Sequence, residues 1–186
     1  MRYLITALVF AAIVSALPPS AQCRQNHFRV GGSCLYLVKS NTRDILGTGW
    51  AVTGEYSMTD LLSADEMIDG GDISVCVSYK RFDNDLPAAR YTVDYSTFAL
   101  KWRGGKGAQP DCEGLYGGIG LGAALIRTQP SLNLTSNVSS TCKLEYTVCG
   151  GANFSRHAYA EISFSRIPDI AEYSLEHVWL TIGARF

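Results

Sequence analysis

Hydrophobic and polar residues alternate along most of the chain with a period of two. In the segment 98–102, Phe98, Leu100 and Trp102 fall on one face and Lys101 falls on the other. Such alternation is typical of a β-strand whose two faces meet different surroundings, and stretches rich in Gly, Asp, Asn, Ser and Pro separate the alternating segments. The pattern predicts seven strands at about 48–59, 71–82, 91–103, 114–128, 142–153, 157–167 and 174–186, and an eighth within 28–39.

The polar face of these strands indicates which kind of barrel they form. Few segments have helical periodicity, so the strands predict an all-β protein in which consecutive strands pair as an antiparallel meander. The polar face consists mainly of Ser, Thr, Ala, Gly and Tyr, which suits the narrow interior of a small membrane barrel better than the solvated surface of a soluble one. We therefore expect the apolar face to contact lipid.

A few charged residues also fall on the polar face. Because an unpaired buried charge is costly, charges that point inward are expected to pair. The hypothesis is a lumenal ion-pair network that plugs the barrel, and the alternative is that some of these residues lie near strand ends and are solvated. The six residues are Glu55, Lys80, Lys101, Arg103, Glu161 and Arg185.

The last strand carries the most specific pattern in the sequence. Apolar residues occupy alternate positions and an aromatic residue ends the strand, at Val178, Leu180, Ile182, Ala184 and Phe186. This pattern resembles the C-terminal signature that the barrel-assembly machinery reads in bacterial outer-membrane β-barrels. A closed barrel in lipid must pair its last strand with its first, since an open edge in hydrocarbon leaves backbone groups unsatisfied.

A second element, EGLYGGIGLGAAL at 113–125, is similar to one found in the small OmpA/OmpX-like barrels. It places Gly118, Gly120 and Gly122 on the polar face, where they leave room in a lumen barely wide enough for side chains. The resemblance implies an eight-stranded antiparallel up-and-down transmembrane β-barrel in the bacterial outer membrane. It also implies outer-membrane lipid and the assembly machinery as partners, and periplasmic chain termini.

This topology divides the connections between the two sides of the membrane. The Asn-, Ser- and Thr-rich stretch at 129–141 suits an outer loop, and the tight 154–156 turn suits the periplasmic side. We expect a structural, adhesive or surface-interaction role through the outer loops, without enzymatic activity. The predicted outer connections lie near 40–47, 84–90, 129–141 and 168–173, and the periplasmic ones near 60–70, 104–113 and 154–156.

Composition adds a leader and a set of cysteines. Residues 1–21 have the pattern of a signal peptide, with Arg2 before an apolar run that is shorter than the roughly 20 residues of a membrane-spanning helix; the mature barrel domain is then 22–186. A net charge of −1 gives no basic surface for nucleic acid. Six cysteines in an exported chain favour disulfides over metal sites, with pairing left open. They are Cys23, Cys34, Cys76, Cys112, Cys142 and Cys149.

Two other classes of function stay open. A lipid-modifying acyl hydrolase would need Ser, His and an acid together, and His157, Glu161 and Ser163 share a face. A secreted lipocalin-like barrel that binds a small apolar ligand is favoured by the cysteines and by three glycosylation sequons. Three scattered histidines do not make a metal site, and no cofactor is expected. The sequons lie at Asn133, Asn137 and Asn153.

Overall fold

The computed structural model shows a closed barrel of eight antiparallel strands. Each strand pairs with its neighbours along the chain, and β1 pairs with β8 to close the sheet. The strands are β1 (Phe28–Leu37), β2 (Thr48–Ser57), β3 (Asp72–Leu86), β4 (Ala89–Gly104), β5 (Gly114–Ser131), β6 (Ser139–Ser155), β7 (Ala158–Ile170) and β8 (Tyr173–Arg185). The predicted fold is confirmed.

The structure describes residues 27–39, 42, 44, 46–58, 71–86, 89–108, 112–131, 139–170 and 173–186. The predicted leader at 1–21 lies outside these residues, as does Cys23. Within the described part of the chain, no helix is long and apolar enough to cross a membrane.

The barrel has two distinct ends. Phe28 and Phe186 lie at the same end, where their backbones exchange two hydrogen bonds of 2.9 and 3.0 Å. We call this the terminal end, and we call the opposite end, where β1 finishes at Leu37, the far end. Since adjacent strands are antiparallel, the β4–β5 connection lies at the terminal end and the β5–β6 connection lies at the far end.

An apolar belt surrounds the outside of the barrel. On β5 its outward side chains run from Leu115 to Leu125, which span about 33 Å along the strand. At a strand tilt of about 40° this gives a height of about 25 Å, close to the apolar band of known membrane barrels. Beyond Leu125 the next outward residue is Arg127, so the belt ends below the far end.

Several strands continue past the belt into segments that the sequence assigned to loops. β3 extends to Leu86 and β4 begins at Ala89, so strand structure replaces most of the loop predicted at 84–90. In the same way, β5 and β6 take up parts of the loop predicted at 129–141, and β7 and β8 take up most of the one at 168–173. These three predicted loops were too long because a strand above the lipid loses its alternating pattern, whereas among the described residues no strand enters the loop predicted near 40–47.

Candidate functional site

Four buried charged side chains meet in the middle of the lumen. Lys101 Nζ donates to Glu55 Oε1 at 2.7 Å and to Glu161 Oε1 at 3.2 Å. Arg103 donates from Nη2 to Glu161 Oε2 at 3.0 Å and also pairs with Glu55. All four are at most 5% exposed, and the two cations balance the two anions. We call these four residues the central charge cluster.

Alternation brings this cluster together from three strands. The residues come from β2, β4 and β7, with Lys101 and Arg103 two positions apart on one inward face. Ser74 on β3 accepts from Arg103 Nη1 at 2.9 Å, while Ser163 and the Tyr116 hydroxyl donate to Glu161 at 3.0 and 3.2 Å. The cluster's polar atoms are therefore held by several strands at once, which fixes the side chains across the lumen.

A second buried pair lies in a different layer of the lumen. Lys80 pairs with Glu145, a residue that was not among the six predicted lumenal charges. The Lys80 Nζ lies 3.9 Å from the centre of the Trp179 ring. The neighbouring Tyr95 hydroxyl lies 3.0 Å from His177 Nε2. Glu145 could have been found from the alternation along β6, because it lies four residues before Cys149 and two before Thr147, whose side chains also face the lumen.

Arg185 is the predicted member that does not join these pairs. It lies at the terminal end, where Nη1 donates to the backbone oxygens of Cys112 and Ser155 at 3.3 and 3.4 Å. Asn153 Nδ2 donates to the Cys112 oxygen at 3.2 Å and to Gly107. These contacts draw the β4–β5 connection against the mouth of the barrel. Ala108 in that connection is fully buried and its oxygen accepts from Arg29 at 3.4 Å.

The lumen at the far end is filled by apolar side chains. Phe82, Ile126 and Ile167 have no exposed surface. Leu46, from the segment between β1 and β2, packs into the same cluster. We call this cluster the far-end core. Its members are Leu35, Leu37, Leu46, Ala51, Phe82, Val93, Tyr95, Ala124, Ile126, Ile167, Leu175 and Trp179.

Inward glycines leave room for large neighbours, as the sequence indicated for β5. A Cβ at Gly122 would lie 2.6 Å from Ala99 Cβ, and one at Gly118 would lie 2.4 Å from the Trp102 carbonyl oxygen. On β8, a Cβ at Gly183 would lie 2.5 Å from the Tyr159 ring. Real Cβ atoms do not approach so closely, so these positions need glycine.

No disulfide joins any two of the five described cysteines, so the expected disulfides are not found among them. The topology keeps several of them apart. Cys34, Cys76 and Cys142 lie on β1, β3 and β6, and no two of these strands are hydrogen-bonded neighbours. Cys142 and Cys149 share β6 but are seven residues apart, about 23 Å along a strand and far beyond the reach of a disulfide.

The residues suggested for an acyl hydrolase do not assemble into a triad. Ser163 and Glu161 contact each other inside the lumen, whereas His157 lies in the exposed turn between β6 and β7. The His157 ring faces the backbone oxygen of Arg185 at 3.3 Å. The nucleophile and its base would therefore lack the contact that proton transfer requires.

The soluble, lipocalin-like alternative is wrong. Leu180, Ile182 and Phe186 are 54%, 69% and 54% exposed on the outside of β8, whereas a carrier of apolar ligands needs such residues inside. The sequon at Asn153 is also unsuitable for glycosylation, because that side chain is buried and hydrogen-bonded. The sequons at Asn133 and Asn137 lie outside the described residues.

A closed eight-stranded barrel with an apolar outside and charge pairs inside is a small transmembrane β-barrel of the outer-membrane type. Its fold matches the N-terminal β-barrel domain of Pseudomonas aeruginosa OprF, with a TM-score of 0.64 and 12% identity, covering 87% of this chain and 98% of that one. It also matches Ail, the attachment invasion locus protein of Yersinia pestis, with a TM-score of 0.55 and 13% identity, covering 86% and 96% of the two chains.

These comparisons confirm the predicted resemblance at the level of the fold. Together with the apolar belt, the fold supports the expected location in an outer membrane. No protein-family model and no curated protein sequence matches the chain.

Proposed function

We propose that this protein is a non-conducting barrel of the bacterial outer membrane that acts at the cell surface. The terminal end faces the periplasm and the far end faces outward. The lumen is plugged, so the protein does not form a pore, and it anchors or binds partners through the part of the barrel above the belt.

The central charge cluster is the observation that carries the plugged lumen. Four side chains cross the lumen between β2, β4 and β7 and are bonded to one another, so an ion that passed would have to break buried pairs. Breaking such a pair leaves an uncompensated charge, which is strongly unfavourable. The far-end core and the β4–β5 connection support the proposal by covering the cluster on both sides.

The surface role is supported by the strands that rise above the belt and by one structural neighbour. Beyond Arg127 the strands present polar and charged side chains, including Asp83, Asp94 and Arg166, on their outer face. Ail is described as an attachment protein and has been solved with a heparin analogue. Surface attachment is therefore a role that this fold can support.

The plug is tested by conductance of the purified barrel in planar lipid bilayers. The native protein is expected to give no stable current, and the substitution Arg103→Ser is expected to create one by removing a side chain that bonds to both Glu55 and Glu161 across the lumen. Arg166→Ser on the outer face is the control and should stay silent. A stable current through the native barrel would overturn the plug.

The orientation is tested with two native cysteines in a Cys23→Ser background. Cys142 is exposed toward the far end and Cys112 is partly exposed at the terminal end. A membrane-impermeant maleimide should label Cys142 on intact cells, and it should reach Cys112 only after the outer membrane is opened. Labelling in the reverse order would overturn the orientation. The variants Cys142→Ser and Cys112→Ser show which cysteine carries the label.

The assembly role of the last strand is part of the same proposal. The side chains of Val178, Leu180, Ile182, Ala184 and Phe186 all lie on the outward face of β8. We expect Phe186→Ala to lower the assembled fraction in cells while the purified chain refolds normally in detergent. Equal losses in both settings would mean that Phe186 only contributes to stability.

A further inference from the structure

The hydrogen-bonded ladder between β6 and β7 stops part of the way along the two strands. Its last pair toward the far end is Tyr146 with Arg166. β6 nevertheless continues as a strand to Ser139, and its pairing with β5 reaches Thr128. Among the described residues, the segment 139–145 therefore pairs with β5 alone. We call this segment the β6 edge.

The sequence of β7 accounts for the break. Continuing the same register would place Pro168 opposite Leu144, and proline has no N–H to donate to a ladder. The break also coincides with the upper limit of the belt, since Arg166 is the first charged outward residue on β7. Unpaired backbone groups are tolerated there because water can reach them, whereas in hydrocarbon they would not be.

An open strand edge is a row of backbone donors and acceptors that can pair with another extended chain. The side chains along this edge are mostly exposed, including Ser139, Ser140, Cys142 and Leu144. Lys143 lies in the middle and has no ion-pair partner among the described residues. The next residue with charge, Glu145, is already committed to Lys80.

We propose that the β6 edge binds an extended segment of a partner protein as an added strand, with an acidic side chain of the partner opposite Lys143. The added strand satisfies the backbone groups of 139–145 that have no partner among the described residues, and the positive charge of Lys143 selects the acidic residue. This proposal rests on the proposed placement of the far end outside the cell.

Amide hydrogen exchange of the purified barrel in micelles tests whether the edge is open. In 139–145 the amides that face β5 should be protected, and the alternate ones should exchange rapidly. Residues 123–126 of β5, which pair on both sides, are the internal control and should all be protected. Uniform protection of 139–145 would overturn the proposal. If that protection rises with barrel concentration, a second copy occupies the edge instead.

Binding is tested with a ten-residue peptide of alternating Val and Thr that carries one central Asp. Adding it should slow exchange of the rapid amides in 139–145. A peptide of the same length with two central prolines should not, because it cannot form a ladder. Equal effects of the two peptides would overturn strand addition.

Charge selection is tested by Lys143→Glu, which should weaken binding of the Asp peptide about tenfold and strengthen binding of a matching Lys peptide. The control is Lys106→Glu, an exposed lysine at the terminal end, which should change neither. Unchanged binding by the Lys143 variant would overturn the acidic partner. Because these assays use purified protein, they are independent of the cell-labelling test of orientation.

Discussion

Removing the charge of Glu161 should be among the most destabilising single changes in the lumen. Glu161 is 3% exposed and accepts hydrogen bonds from Lys101, Arg103, Tyr116 and Ser163. Glu161→Gln keeps the shape but leaves two buried cations to share Glu55. Breaking a buried pair in this way costs about 3–5 kcal/mol, which corresponds to a factor of about a thousand in the unfolding equilibrium.

The control is Glu176→Gln on the outside of β8. Glu176 also contacts two cations, Lys39 and Arg166, each at 3.4 Å, but both partners are half exposed. Exposed pairs contribute at most about 1 kcal/mol, so the control should be nearly neutral. The assay is urea unfolding in lipid vesicles followed by tryptophan fluorescence, with heat-modifiable gel mobility as a second measure.

A double variant separates charge from shape. Adding Lys101→Met to Glu161→Gln leaves Arg103 with Glu55, so the cluster is neutral again. The double variant should be at least about 1 kcal/mol more stable than Glu161→Gln alone. The reasoning is refuted if Glu161→Gln is no more destabilising than Glu176→Gln, because the central charge cluster would then be solvated.

Three further predictions concern other parts of the lumen. Phe82→Ala should cost about 3–5 kcal/mol in urea unfolding, because it leaves a cavity in the fully buried far-end core. Gly122→Ala should cost about 1–3 kcal/mol because its Cβ would overlap Ala99, whereas Gly32→Ala, which faces open space, should be neutral. Asn153→Ala should make the β4–β5 connection sensitive to protease in the purified barrel, since it removes two hydrogen bonds to that segment; unchanged resistance would contradict this.

The faces of the strands were predictable from the sequence because lipid and lumen impose opposite demands on alternate residues. Trp102 and Arg103 are neighbours in the chain, yet Trp102 lies on the outward face of β4 and Arg103 is fully buried in the lumen. Their odd and even positions along the strand are enough to assign them to opposite faces. The same rule would have placed Glu145 inside, had it been extended along β6 from Cys149.

The height of each side chain along the barrel was not predictable from a period of two. Which inward residues meet depends on the stagger between strands, and the alternation does not contain that information. Arg185 points inward like the residues of the central charge cluster. It lies opposite Arg29 in the β1–β8 ladder, at the terminal end, where its side chain is too far from the cluster to reach it. Lys80 likewise pairs with Glu145 in a separate layer of the lumen, away from the central charge cluster.

The far-end extensions of the strands were not predicted because the sequence is less constrained above the belt, and the same relaxed constraint explains the β6 edge. Within the belt a strand must alternate and must be paired on both sides, so its sequence is strongly constrained. Above the belt the outer face meets water, and a strand there can carry the Asp, Asn, Ser and Pro residues that otherwise indicate turns. Asp83 lies in β3 and Pro168 lies in β7. Residues of these types hid the strand ends in the sequence, and they are tolerated in strands only outside the lipid. One of them, Pro168, coincides with the end of the β6–β7 ladder.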